Sequence, residues 1–110
     1  MINYTITIAV DPDDVIPEGG TTGNFVYTPA LLRVTSGDTI TWKSDHPFVL
    51  TFKAGTPVDD IELVGSESSG SYTTGSQSVV GDKGHYHYAV ALWNGSRVFI
   101  DAACPHISVN

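Results

Sequence analysis

The sequence predicts an all-β fold, an antiparallel Greek-key β-sandwich of seven to eight strands. Three observations predict it. Apolar and polar residues alternate in short runs, the period of strands with one buried face. Turn-forming residues interrupt these runs at intervals of roughly 8 to 12 residues, the spacing of sandwich strands. No window longer than about 10 residues repeats at the 3.6-residue period of a helix. At 110 residues the chain has the length of one domain, 1–110, with no internal repeat and no linker.

The first strand is "NYTITIAV", with Tyr4, Ile6, Ile8 and Val10 on one face and Asn3, Thr5, Thr7 and Ala9 on the other. "DPDDVIPEGGTTGN" follows, whose prolines, glycines and acids predict a long surface loop. "FVYTPALLRV", a turn at "TSGD" and "TITWKS" read as strand, turn, strand, with Leu32, Val34, Ile40 and Trp42 in the apolar phase. "HPFVLTFK" places Phe48, Leu50 and Phe52 together, and Tyr72 marks a short edge strand in an otherwise Ser/Thr/Gly-rich stretch. In "GHYHYAVALW" the residues Tyr86, Tyr88, Val90 and Leu92 point inward, which sends His85 and His87 to the other side. The Asn94–Gly95 pair is the strongest hairpin signal in the chain, because both residues tolerate the positive φ of a type I′ turn.

Composition narrows function. Five basic against twelve acidic residues leave a net charge of −7, which repels nucleic acid and anionic membranes. The acidic groups, Asp11 to Glu18 and Asp59 to Glu67, lack the spacing of a calcium loop and read as solvated loops. A single cysteine rules out an intramolecular disulfide framework. The N-terminus carries no secretory leader and no apolar run reaches the ~20 residues of a membrane span. A cytoplasmic location is expected, or a periplasmic or secreted one if a leader was removed. No phosphate loop and no Gly-x-Ser-x-Gly elbow is present, so no catalytic residues are expected.

"LLRVTSGDTITWKSDHPFVLTF" resembles the cupredoxins in its strand, Gly-Asp turn, "TITW" strand and following histidine. "YHY" is similar to the strand that leads into their ligand loop. The resemblance covers residues 25–53 and 84–109 and implies a copper site with His46 as its first ligand. The family pattern Tyr-x-Tyr-x-Cys would place the thiolate at position 90, where this chain has Val90. Cys104 and His106 are separated by Pro105 alone, one residue short of the family spacing, and the one methionine is Met1. A blue-copper site needs two imidazoles and a thiolate, usually with a weak thioether. The resemblance is nearer to small bacterial cupredoxin-like or immunoglobulin-like proteins without the copper ligands.

The expected function is therefore a non-catalytic, acidic, soluble binding or assembly module without a cofactor. Its partner is a protein or small ligand, with self-association through a sheet face or edge. The alternative is a copper or zinc protein in electron transfer or metal handling. It would draw its ligands from His46, His85, His87, Cys104 and His106, with Asp82 or Asp101 completing a shell. Trp93, in the outward phase beside the hairpin, is the candidate contact for a ligand or partner.

Overall fold

The computed structural model describes residues 1–11, 24–29, 31–95, 97–101 and 105–110. Of the predicted long loop, 11–24, residues 12–23 lie outside them, while Asp11 and Asn24 belong to strands. Twelve strands are present among the described residues: β1 (Asn3–Asp11), β2 (Asn24–Thr28), β3 (Leu31–Val34), β4 (Thr39–Ser44), β5 (Phe48–Phe52), β6 (Glu62–Val64), β7 (Ser66–Ser68), β8 (Ser71–Thr73), β9 (Gln77–Ser78), β10 (Gly84–Asn94), β11 (Arg97–Asp101) and β12 (His106–Val109). The count exceeds the seven to eight expected for two reasons. "FVYTPALLRV" is cut at Pro29, which has no N–H for a ladder, and its halves join different sheets. The stretch 62–78 breaks into four pieces of two or three residues.

The strands form two sheets. The first runs β2-β1-β4-β8-β7, with β9 also on β4; the second runs β3-β12-β10-β5-β6, with β11 also on β10. Neither is wholly antiparallel as the sequence reading expects: β1 pairs with β4, and β12 with β3, in parallel. Both pairs join strands far apart in the chain, and a parallel pair needs such a long crossover. The Tyr72 strand, β8, is not the edge, because β7 pairs along its outer side.

Between the sheets lies one core, to which the predicted inward residues contribute Ile6, Ile8, Leu32, Val34, Ile40, Trp42, Phe48, Leu50, Phe52, Tyr88, Val90 and Leu92, all buried. At its centre, Trp42, Phe52 and Tyr88 meet edge to face at 5.5 to 6.0 Å, the favoured geometry for aromatic quadrupoles. Trp42 Nε1 and the Tyr88 hydroxyl are buried there without a hydrogen bond. The indole is near enough to attract the phenol oxygen weakly, but burial dominates and pushes the Tyr88 phenol up to about 12.

The Gly-Asp turn also ties the sheets' ends. The Asp38 carboxylate accepts the Thr35 and Ile2 N–H groups, each at 2.9 Å, while its own carbonyl accepts the Val79 N–H at 2.8 Å. Those backbone donors, Thr35 first and then Ile2, hold the Asp38 carboxyl below its ordinary value of 3.8.

The second sheet is organised by β10. One of its edges is shared in succession, by β12 along Gly84–His87 and by β11 along Val90–Asn94; the other pairs with β5. At the hairpin, Asn94 pairs with Arg97, so Gly95, at φ +66°, opens the turn one residue later than the Asn94–Gly95 signal suggests. Ser96 lies outside the described residues.

Candidate functional site

The outer faces of the two sheets differ in chemistry. On the first, Thr5, Thr41, Lys43, Ser71 and Thr73 line a hydroxyl-rich groove of about 450 Å³. The second carries imidazoles at one end and aliphatic side chains at the other.

The imidazole end follows from alternation and register. Because Tyr86 and Tyr88 turn toward the core, His85 and His87 turn out, both exposed. Ile107 and Val109 likewise turn in on β12, and this leaves His106 outward. Antiparallel pairing sets His87 opposite His106, and His85 opposite Ser108. The His87 and His106 rings lie 4.9 Å apart, centroid to centroid, and the His85 and His106 rings 5.6 Å apart. Burial, then the neighbouring His87 and His85, lower the His106 pKa from its ordinary 6.5, favouring the neutral ring. In these rotamers no group of three or more His, Cys, Asp or Glu among the described residues forms a metal-holding arrangement.

The other predicted residues lie elsewhere. His46 is half-buried in the turn between β4 and β5, where its N–H donates to Ser44 Oγ at 3.3 Å. The adjacent Pro47 carbonyl accepts the Trp93 N–H, so His46 sits six strand residues, ~20 Å, along β10 from His87. Asp101 is buried on the core side and accepts a hydrogen bond from the Tyr27 hydroxyl. Asp82 is in a loop, where its carbonyl accepts the Tyr86 hydroxyl at 2.6 Å. Cys104 lies outside the described residues.

The copper site implied by the resemblance does not fit the described residues. Val90, at the thiolate position, is buried between Leu50 and Asp101 in register. β10 runs on through it to Asn94 as a continuous strand. Phe48 and Leu92 pair beside it and fill that part of the core. Met1 is 90% exposed.

The aliphatic end was missed by sequence reasoning, which treated each strand alone. One register row crosses four strands as Val64, Val49, Ala91 and Ile100. Val49, Ala91 and Ile100 of that row, with Thr51, Glu62 and Ala89, line a shallow depression of about 200 Å³. Ile100 is 46% and Val64 56% exposed, and Trp93, on the same face opposite Val98, is 37% exposed. The third histidine, His106, stands with His85 and His87 in the set of candidate ligands the sequence offers. Extending the inward phase through "HISV" exposes it, but only the pairing of β12 with β10 brings it beside them.

The class these observations define is an all-β, two-sheet sandwich with a mixed imidazole and aliphatic outer face. No protein-family model matches the chain, and no curated protein does. Among solved structures it is similar to a purple cupredoxin from Nitrosopumilus maritimus, at 18% identity and a TM-score of 0.49, over 97% of this chain and 99% of that one. It is also similar to a pseudoazurin from Sinorhizobium meliloti, at 20% identity and a TM-score of 0.45, over 100% of this chain and 75% of that one. The sandwich itself rests on the strand registers of this chain. No helix among the described residues is long and apolar enough to cross a membrane.

Proposed function

We propose that this protein is a non-catalytic, cupredoxin-like binding module that pairs with a second copy of itself through the aliphatic end of its second sheet. The observation that carries the reading is the exposed row Val64, Val49, Ala91 and Ile100, with Trp93 beside it. Contiguous apolar surface of this kind marks interaction sites. The chain carries −7 overall, and this row itself carries no charge, so two copies repel less across it than across charged surface.

Thr51 and Glu62 flank this aliphatic row on one side, as polar residues flank the apolar core of a protein–protein contact.

Sedimentation equilibrium over a range of concentrations tests this. A dimer is expected for the unmodified chain and a monomer for Ile100→Lys, with both melting cooperatively. A monomer at every concentration would overturn the self-association. In that case, retention of an unrelated apolar protein surface by the chain but not by Ile100→Lys would relocate the partner.

A further inference from the structure

The geometry points to a second site on the same sheet: His85, His87 and His106 together bind one divalent late first-row transition ion, such as Zn²⁺, on the outer surface of β10 and β12. The site is distinct from the position the cupredoxin resemblance implies. That position, at Val90, is on the opposite side of β10 and further along it.

Three observations carry it. The first is convergence. His85 and His87 leave β10 on one face with Cα atoms ~6.7 Å apart, and His106 enters from the neighbouring strand directly opposite His87. The second is ring spacing. A nitrogen ligand sits ~2.1 Å from zinc and its ring centre ~1.1 Å further out, so two imidazoles on one tetrahedral or octahedral ion have centres ~4.5 to 5.3 Å apart. The observed separations are 4.9 and 5.6 Å. The two pairs that include His106 therefore lie within a few tenths of an ångström of that range before any ion is added. The third is exposure. His85 is exposed, so turning its nitrogen toward the ion needs a rotamer change of the kind that surface side chains make in nanoseconds.

The surroundings define the ion. Neutral imidazole suits zinc, copper and nickel and is a poor ligand for calcium or magnesium, which require oxygen. Among the described residues no carboxylate forms a metal-holding group with the rings. Lys53, whose N–H donates to the His87 carbonyl, and Arg33, opposite Ser108, occupy the flanking register positions. Three nitrogens and solvent complete the shell, the donor set of an open zinc site.

The test is a titration of the full chain with ZnCl₂, followed by calorimetry and by the histidine side-chain signals in NMR spectra. One ion per chain is expected, with the rings of His85, His87 and His106 shifting together and that of His46 staying in place. His85→Gln and His106→Gln should each weaken binding at least ~10-fold, while His46→Gln should leave it unchanged. If His106→Gln lowers the melting temperature, the exposed His85→Gln carries the comparison. Absence of saturable binding at millimolar zinc, or equal loss in His46→Gln, would overturn the assignment. Repeating the titration on Ile100→Lys separates it from self-association, because that residue lies at the other end of the sheet.

Discussion

Replacing Tyr88 by phenylalanine should make this protein more stable. The ring is fully buried at the meeting point of Trp42 and Phe52, and its hydroxyl makes no hydrogen bond, with only the weak pull of the Trp42 indole on its oxygen. A buried hydroxyl that has lost water without gaining a partner costs ~1–3 kcal/mol. Removing the oxygen leaves a void of ~10–15 Å³, which costs about 0.3 kcal/mol at the usual cavity coefficient. The ring contacts are untouched. The net gain is about 1 kcal/mol, or ~4 °C in melting temperature for a domain of this size. Because burial pushes the phenol up to about 12, Tyr88 stays neutral from pH 5 to 9, and the gain should be the same across that range. Thermal melts and urea titrations at pH 6 and pH 9 measure it. A loss of about 1 kcal/mol or more would refute the reasoning, since it would mean that the hydroxyl is satisfied, for instance by a buried water.

Tyr27→Phe is the opposite case. Its hydroxyl donates to the buried Asp101 carboxylate, so the same substitution should destabilise by about 1 kcal/mol or more in urea denaturation. Asp38→Asn should lower the melting temperature most near neutral pH. The folded Asp38 pKa lies below its ordinary 3.8, so its contribution is full above the unfolded value and is lost as pH falls through the folded one. The gap between wild type and variant should therefore close below about pH 4, and a gap independent of pH from 7 to 3 would count against the carboxylate's role. Gly65→Ala would place a Cβ 2.4 to 2.9 Å from the Phe48 ring, which the packed core cannot easily move. A loss of ~1–3 kcal/mol with an unchanged m-value is expected.

Alternation carried most of the inner surface. Ile6 and Ile8, Ile40 and Trp42, or Phe48, Leu50 and Phe52 can be assigned to the core from their phase alone, because a strand buried on one face repeats every two residues. Three features escaped for one reason. The parallel pairs β1 with β4 and β3 with β12, the row from Val64 to Ile100, and the meeting of His106 with His87 all depend on which strands are neighbours. Phase is a property of one strand, whereas adjacency is set by the whole topology. Pattern placed His85 and His87 on a common face, yet the third ring comes from 19 residues further along the chain. His46 shows the converse: its place in a motif suggested a ligand, and the turn holding it leaves it at the other end of β10.

The position of β12 has a consequence for how the protein is made. This strand sits between β3 and β10, although it follows both in the chain. During synthesis β3 must wait some 70 residues for its neighbour, ~4 to 14 s at ~5–20 residues per second. Throughout that interval Leu32 and Val34 have no strand beside them, and once β10 is made its edge along Gly84–His87 lies open as well. The nascent chain thus exposes two templates for mispairing until residues 106–109 arrive and close the gap between them. Their arrival, more than any earlier step, commits the second sheet to its register.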